Sequence, residues 1–193
     1  DEELNRVIPV ISALAKQIKV PISIDTYKPE VMRASIEAGA DMVNDVQALR
    51  MPGALDVVAK SQAGVCLMHM QGEPKTMQLE PQYQDVVAEV RDFLGERKQA
   101  LLASGIAANR IVLDPGFGFG KSLEHNLNML ANFEQFSQLG YPVLAGISRK
   151  SMLGKLTGRD TNERVAPSLA AAILAADRGA RIIRVHDVQE TVD

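Results

Sequence analysis

The stretch RIVLDPGFGFGK, residues 110–121, shows the pattern that decides the fold class. Its apolar run at residues 110–113 has no alternation of polar and apolar residues, which is typical of a strand buried on both faces of a parallel sheet. Asp114 follows the run directly, and Asp114-Pro115-Gly116 is a common turn sequence. We therefore predict a buried parallel strand here, with a carboxylate at its carboxyl end.

The same arrangement recurs along the rest of the chain. Between the apolar runs lie helical patterns, in which apolar residues recur at spacings of three and four. Leu127, Leu130, Phe133 and Phe136, for example, predict one helix that ends before Gly140. The further strands are predicted at residues 20–24, 42–44, 65–69, 143–147 and 181–185.

Six βα units in series can form either an open doubly wound sheet or a barrel. An open sheet of the nucleotide-binding kind has a glycine-rich turn after its first strand, whereas here Ile24 is followed by Asp25-Thr26-Tyr27. A complete (β/α)8 barrel has about 250 residues and eight such units, and this chain has 193 residues. We therefore predict a single α/β domain over residues 1–193, a (β/α)8 TIM barrel that here lacks the first two βα units and the end of the last helix.

Composition and charge exclude several classes of protein. Apolar residues make up 46% and charged residues 23%, as in ordinary globular proteins, and the net charge of -3 argues against a general nucleic-acid or membrane surface. No apolar run reaches the roughly 18 residues that a membrane-spanning helix needs. The only cysteine, Cys66, lies in an apolar run, so we expect a buried thiol, no disulfide within the chain and a reducing compartment, the cytoplasm.

Polar side chains follow every predicted strand. Active sites of βα barrels lie at the carboxyl ends of the strands, so these side chains predict one site. Several have a structural alternative: Asp25 could cap the helix that begins near Pro29, Asn44 and Asp114 could serve turns, and Lys150 could be a solvated charge at a helix start. The whole group comprises Asp25, Asn44 with Asp45, His69, Asp114, Ser148-Arg149-Lys150, and Arg184 with His186-Asp187.

The glycine-rich segment at residues 116–122 does not fit the known nucleotide-binding motifs. A P-loop needs glycine five positions before Gly120, where the chain has Pro115. A dinucleotide fingerprint that starts at Gly116 needs glycine at position 121, where the chain has Lys121. Two interpretations remain: a mobile loop without a ligand, or a lid whose phenylalanines form an aromatic wall for a flat substrate. We favour the lid.

Histidine and cysteine spacing gives no metal-binding pattern. His69, His125 and His186 are far apart, and none belongs to a His-x3-His or Cys-x2-Cys arrangement. We expect His69 to be a hydrogen-bonded, partly buried ring. A structural zinc site is not predicted, but a Mg²⁺ ion that arrives on a phosphate ligand would need no such pattern.

Six ordered motifs at the predicted strand ends resemble the bacterial dihydropteroate synthases, a family of pterin-binding TIM barrels, over essentially the whole chain. This resemblance implies a transferase of folate biosynthesis and a sulfonamide target. Such an enzyme condenses 6-hydroxymethyl-7,8-dihydropterin diphosphate with p-aminobenzoate to give 7,8-dihydropteroate and diphosphate. The motifs are Ile24-Asp25-Thr26, Val43-Asn44-Asp45, residues 66–72, residues 113–121, Ser148-Arg149-Lys150-Ser151 and Arg184-Val185-His186-Asp187.

The resemblance also implies a role for each residue of the site. In this family the bond to diphosphate is thought to break first, so the enzyme must stabilise a pterin cation and an anion. The catalytic residues are then Asp25, Asp114 and Lys150. The implied binding residues are Asp25, Asn44, Met68, Asp114 and Lys150 for the pterin, Phe119, Ser148 and Lys150 for p-aminobenzoate, and Arg184 and His186 for the diphosphate.

The family further implies Mg²⁺ as cofactor and a homodimer as assembly, neither of which the residues themselves test. The family's first strand, with its asparagine that meets the Mg²⁺-diphosphate, has no counterpart here, and neither has the Ser/Thr-Arg-Pro loop that follows it. No metal ligand is therefore predicted in this chain. Two alternatives within the pterin-binding barrels stay open: a methyltetrahydrofolate-binding methyltransferase and a non-catalytic pterin-binding paralogue.

Overall fold

Strands and helices alternate along the chain, as the sequence predicts. A computed structural model describes residues 2–72 and 81–193. Contacts between Cα atoms divide the chain into two compact units, the first formed by Asp1–Met68 and Gly95–Val112 and the second by His69–Leu94 and Leu113–Asp193. The prediction of one domain over residues 1–193 stays a prediction. The elements in chain order are α1 (Glu2–Leu14), β1 (Ser23–Asp25), α2 (Pro29–Glu37), β2 (Met42–Asp45), α3 (Ala54–Ala59), β3 (Gly64–Met68), α4 (Val86–Ala103), β4 (Ile111–Asp114), α5 (Leu123–Ala131), α6 (Glu134–Ser137), β5 (Leu144–Ala145), α7 (Ser151–Thr157), α8 (Val165–Asp177), β6 (Ile182–Ile183) and α9 (Val188–Val192).

The first unit is built on parallel strands. β1 pairs with β2 and β2 with β3, both in parallel, and the strand order of this sheet is β1-β2-β3-β4. The register places Asp25 opposite Asn44, so the carboxyl ends of β1 and β2 lie side by side. The helix α2 packs against both α1 and α3. The buried apolar side chains of this unit include Val31, Met32 and Val58.

The second unit has a shorter sheet and an aromatic core. β5 pairs in parallel with β6, and Leu113 at the end of β4 forms a single parallel bridge with Val143. Phe117 and Phe133 stack with their ring centroids 6.2 Å apart, and Phe136 meets Phe133 edge-on at 5.8 Å. All three rings are fully buried, so this cluster supplies a large share of the apolar burial here.

Several predicted boundaries are wrong for local reasons. The strand predicted at residues 20–24 begins only at Ser23, because Pro21 has no N–H for a sheet and the Ile22 N–H bonds the Asp41 carboxylate at 2.8 Å. The strands predicted at residues 143–147 and 181–185 shrink to the two-residue strands β5 and β6.

Burial on both faces is correct for β2 to β5 and wrong for the other two strands. Ser23 and Asp25 of β1 are exposed, because β1 stands at the end of its sheet's strand order, and both residues of β6 are half-exposed. The single helix predicted before Gly140 is two helices, α5 and α6. It breaks at Asn132, whose side chain donates to the Asn128 carbonyl at 3.0 Å in competition with the helical bonds.

Over residues 2–72 and 81–193, no helix has both the length and the apolar character needed to cross a membrane.

Candidate active site

The carboxyl ends of β1 and β2 carry a carboxylate and an amide in direct contact. The Asn44 Nδ2 donates to the Asp25 Oδ2 at 2.8 Å. Asn44 is only 4% exposed, and its Oδ1 is buried without a hydrogen-bond partner among the described residues. The N-cap residue of α2 is Lys28, so Asp25 does not occupy the N-cap position. The turn-amide alternative for Asn44 fails as well, because its side chain is paired with Asp25.

Asp45 has a structural task next to this pair. Its two carboxylate oxygens accept the N–H groups of Gln47 at 2.7 Å and Leu49 at 2.8 Å. Ala48 and Leu49 both have positive φ, 52° and 55°, which is rare for residues with a side chain. Arg97 adds a bond from its Nε to the Ala48 carbonyl at 2.9 Å. Burial raises the pKa of Asp45 and the bonds from Gln47 and Leu49 oppose it, so this carboxyl group fixes the turn that follows Asn44.

Asp114 is a deeply buried carboxylate of the second unit, 1% exposed. One oxygen, Oδ1, accepts the Gly116 N–H at 2.7 Å, as the turn interpretation expects. The other, Oδ2, is buried without a hydrogen-bond partner in the part of the chain that the structure describes, and the Arg184 Nη2 lies 3.6 Å from it. Burial raises the pKa of Asp114, while the charges of Lys150, Arg184 and Lys121 and the Gly116 bond act in the opposite direction. The turn therefore explains the hydrogen bond to the Asp114 Oδ1 but not the burial of Oδ2.

Lys150 lies against the glycine-rich segment. Its Nζ donates to the Phe117 carbonyl and lies 4.6 Å from the centre of the Phe119 ring, within the range of a cation–π contact. Burial lowers the pKa of Lys150 from 10.5 to about 8, an effect that Asp114 opposes and Arg184 reinforces. Lys150 does stand at a helix start, as the N-cap residue of α7. Its ammonium contacts the protein at the Phe117 carbonyl, however, so the solvated-charge alternative is wrong.

Arg184 reaches Asp114 over a glycine. A Cβ at position 146 would lie 2.9 Å from the Arg184 Nη2, so a side chain in place of Gly146 would displace the guanidinium from its present position. Ser148, also on the segment after β5, is buried, and its Oγ lies 3.0 Å from the His186 Nδ1. The predicted anion-binding residues thus lie next to a serine that holds one of them.

The glycine-rich segment, which we call the glycine loop (residues 116–122), is anchored at many points. The Lys121 Nζ contacts the carbonyls of Gly116 at 2.9 Å and Phe119 at 3.0 Å and the His69 Nδ1 at 2.9 Å. The Asn126 Oδ1 on α5 accepts the Gly118 N–H at 2.7 Å, and its Nδ2 donates to the Ser122 carbonyl at 2.6 Å.

The favoured lid, whose phenylalanines were predicted to form an aromatic wall, is therefore wrong for one of the two rings. The Phe117 ring belongs to the core, and the half-buried Phe119 ring is the one that lies beside the Lys150 ammonium. Lys121 and Asn126 were not predicted from the sequence as anchors of the glycine loop. Their signal was weak, since a lysine beside glycines and an asparagine in a helix are normally exposed.

The remaining predicted residues, His69, Cys66 and Met68, are all buried. His69 is a hydrogen-bonded ring, as expected, and is fully rather than partly buried, with Phe93 edge-on at 4.9 Å. Cys66 is buried, as predicted. Met68 is the buried last residue of β3, in the first unit, and its predicted contact with the pterin stays a prediction.

Metal ligands do not cluster in the described ranges. Over residues 2–72 and 81–193, no three His, Cys, Asp or Glu side chains are arranged to hold a metal ion.

Comparison with known proteins identifies the family. Residues 1–186 match the sequence family described as pterin binding enzyme. The dihydropteroate synthase of Escherichia coli K12 is 52% identical over 193 residues, which are 100% of this chain and 68% of that enzyme.

Solved structures agree with this relationship. Dihydropteroate synthase from Stenotrophomonas maltophilia, with imidazole bound in its active site, is 58% identical with a TM-score of 0.97, over 100% of this chain and 73% of that one. The enzyme from Xanthomonas albilineans in complex with 7,8-dihydropteroate is 56% identical with a TM-score of 0.94, over 100% of this chain and 71% of that one. The likeness confirms the predicted fold class, the α/β TIM-barrel family. The chain therefore belongs to the pterin-binding enzyme family and, within it, to the dihydropteroate synthases.

Proposed function

We propose that the chain carries out the dihydropteroate synthase reaction and that Asp114 is its pterin anchor. This assignment is supported by the Asp114 Oδ2, a buried acceptor that has no hydrogen-bond partner among residues 2–72 and 81–193. A pterin presents a ring N–H beside an exocyclic amine, and one carboxylate can accept both. Since a buried acceptor without a partner is costly, Oδ2 favours a ligand that brings an N–H donor.

The cations around Asp114 suit the charge that the reaction develops. The bond between the pterin methylene carbon and the diphosphate oxygen breaks, and its electron pair leaves with the diphosphate. The amine nitrogen of p-aminobenzoate then bonds to that carbon and loses a proton. Arg184 is assigned to the departing anion. Burial raises the pKa of Asp114, and the charges of Lys150 and Arg184 oppose that rise; in its carboxylate form Asp114 stabilises the positive charge left on the pterin.

His186 completes the assignment for the anion. One ring nitrogen, Nδ1, is held by Ser148. We assign the other, Nε2, to diphosphate, because an imidazole fixed at one nitrogen presents the other in a defined direction.

Lys150 and Phe119 are assigned to p-aminobenzoate. The Phe119 ring offers an apolar face, and the Lys150 ammonium 4.6 Å from its centre offers a donor beside that face. Ser148 is buried, with its Oγ 3.0 Å from the His186 Nδ1, and is assigned to the same substrate. In support, the Xanthomonas albilineans enzyme holds 7,8-dihydropteroate, which contains both the pterin and the p-aminobenzoate parts.

Other parts of the assignment remain proposals. Asp25 and Asn44 belong to the first unit, and their roles with the pterin are predictions. Mg²⁺ is proposed to arrive with the diphosphate, since the described residues offer no site of their own. A homodimer is proposed through the exposed apolar side chains of α8, Ile173 and Leu174. A cytoplasmic location is proposed because the sequence has a single cysteine, the buried Cys66, and so forms no disulfide within itself.

The test is product formation by the full-length protein with both substrates and Mg²⁺. We expect dihydropteroate and diphosphate in equal amounts, dependent on both substrates, and at least a 100-fold lower kcat/KM in Asp114→Ala. The matched control is Asp92→Ala, which removes an exposed carboxylate from α4 and should retain full activity. Methyl transfer from a methylfolate, or pterin binding without any product, would instead support one of the two alternatives.

A further inference from the structure

Two side-chain pairs join the segment after β5 to the segment after β6. The Ser148 Oγ accepts the backbone N–H of His186 at 3.2 Å and lies 3.0 Å from its Nδ1. One residue further along both segments, the Arg149 guanidinium donates to both carboxylate oxygens of Asp187, its Nε at 2.9 Å. Arg149 and Asp187 belong to the motifs of the site, but the proposed function gives them no role.

The backbone of Arg149 is in a conformation that it would not adopt unaided. Its φ is +56°, in the left-handed region that residues other than glycine, asparagine and aspartate rarely occupy. Such a residue persists only where its surroundings hold it. Here the Arg149 N–H bonds the Ser168 Oγ at 2.9 Å, and its carbonyl accepts from the Arg164 Nη1 at 3.0 Å.

The residue that follows this strained position is Lys150. Its backbone is extended, with φ -65° and ψ 154°, and its ammonium donates to the Phe117 carbonyl beside the Phe119 ring. If Arg149 returned to the ordinary negative φ, the chain direction at Lys150 would change and its side chain would leave these contacts. The position of the Lys150 ammonium therefore depends on the conformation of Arg149.

We propose that Arg149 and Asp187 form a positioning pair, which holds the turn at residues 147–150 in its left-handed conformation and thereby places Lys150. We call this turn the lysine turn. The inference rests on the proposed function, in which Lys150 contacts the substrates and neither Arg149 nor Asp187 does. The bidentate geometry suits the task, because two parallel bonds fix the guanidinium plane as well as its distance.

If the Arg149–Asp187 ion pair served only to stabilise the fold, its loss would act on stability and not on the position of Lys150. The Arg149 side chain is 31% exposed and that of Asp187 is 10% exposed, and ion pairs of this kind usually contribute little to stability. Loss of the pair should therefore leave folding intact and act on the position of Lys150.

The first test is steady-state kinetics of the full-length protein carrying Asp187→Asn, Arg149→Gly or both. Glycine tolerates positive φ, so Arg149→Gly removes the side chain without adding strain. We expect each single variant to lower kcat/KM for p-aminobenzoate about 10-fold, mostly through KM, with the double variant no worse than either, because the pair acts as a unit. Glu190→Gln removes an exposed acid of α9 near Arg149 and is the matched control, with a change below about 2-fold.

The second test reads Lys150 directly and needs no activity. The Lys150 ammonium can be followed by NMR of ¹³C-dimethylated lysines, with its signal assigned by its absence from Lys150→Arg. Release of Lys150 into water should raise its pKa from about 8 toward 10.5 in Asp187→Asn. The charged groups that face it, Asp114, Arg184 and Lys121, are unchanged in that variant, so a shift reports hydration.

The two tests separate the inference from the proposed function. If wild type forms no dihydropteroate, the proposed function fails, and the NMR titration still decides the positioning pair. Additive kinetic losses in the double variant, or a Lys150 pKa that is the same in Asp187→Asn, Glu190→Gln and wild type, would overturn the inference. A raised pKa with wild-type kinetics would overturn it as well, since Lys150 would have moved without consequence.

Discussion

The glycine loop and the lysine turn each contain a buried or half-buried lysine, and the two lysines have different roles. Lys121 points into its own loop and donates to backbone carbonyls there, so it is a structural tie. Lys150 donates to a carbonyl of the other segment and lies beside an aromatic ring. The two residues have the same charge and both have lowered pKa values. The number of backbone carbonyls to which each lysine donates distinguishes the structural residue, Lys121, from the residue assigned to the substrates, Lys150.

The two segments are also held in different ways. The glycine loop is tied by fully buried groups, Lys121 and Asn126, which are 3% and 2% exposed. The lysine turn is held by the Arg149–Asp187 pair, which solvent reaches in part. Buried polar groups are costly to leave without partners, whereas exposed ion pairs contribute little. We therefore expect substitutions in the loop to act on stability and those in the turn to act on activity.

The largest effect is expected from Lys121→Met, which keeps the length of the side chain and removes its N–H donors. The carbonyls of Gly116 and Phe119 and the His69 ring would lose their buried partner. The free energy of unfolding should fall by at least about 3 kcal/mol, at roughly 1–3 kcal/mol for each of the three unsatisfied groups. Urea unfolding measures this, with Lys155→Met on the exposed face of α7 as a control that should change it by less than about 0.5 kcal/mol. Equal stability of the two variants would contradict the anchoring role.

The next effect is the pH dependence of stability that Lys121 contributes. Burial lowers the pKa of Lys121 from 10.5 to about 7, with Asp114 acting against the shift. Below about pH 7 the lysine is protonated in both states, so it adds no pH dependence there. Between about pH 7 and 10.5 the unfolded chain binds the extra proton, so stability should rise with pH.

The difference between wild type and Lys121→Met isolates this contribution. From pH 7 to pH 9 the wild type should gain about 2 kcal/mol relative to the variant, since one pKa unit corresponds to about 1.4 kcal/mol. Urea unfolding at several pH values measures the difference. A difference that stays constant with pH would mean that the buried lysine keeps its ordinary pKa.

A smaller loss is expected from Asn126→Ala, which removes the second anchor. The Gly118 N–H and the Ser122 carbonyl would lose their partner, and stability should fall by about 2 kcal/mol. Asn128→Ala on the exposed face of the same helix is the matched control, and both are compared by thermal unfolding. If Asn126→Ala unfolds at the temperature of its control, the loop is held by Lys121 alone.

The smallest stability effect is expected in the lysine turn. Asp187→Asn should lower the free energy of unfolding by less than about 1 kcal/mol, and salt should reduce the difference from wild type further. Unfolding at low and at high ionic strength measures it. A loss as large as that of Lys121→Met would remove the contrast between the two segments.

The sequence was a good guide to the strand ends and a poor one to what holds them. Asp114 and Lys150 follow apolar runs, and the rule that barrel sites lie at carboxyl ends of strands was enough to select them. It could not separate Phe117 from Phe119, because both stand between glycines. The positive φ of Gly116, Gly118 and Gly120 sends one ring into the core and the other to Lys150.

Other features depended on contacts between residues far apart in the chain. Lys121 meets His69, 52 positions away, and Arg149 meets Asp187, 38 positions away. Neither pair has a local pattern. The six-residue helix α3 is equally hard to predict, since it is too short to show a helical period.

Whether the buried Asp114 carboxylate binds the pterin can be decided by a binding measurement. Titration calorimetry with 6-hydroxymethyl-7,8-dihydropterin on full-length wild type and Asp114→Asn separates binding from catalysis, with Asp92→Asn as the exposed control. We predict that Kd rises about 100-fold in Asp114→Asn, because the amide replaces a charged acceptor by a donor, and that it is unchanged in the control. A Kd within a factor of three of wild type in Asp114→Asn, from protein of normal stability, would contradict the assignment of Asp114 and return it to the turn.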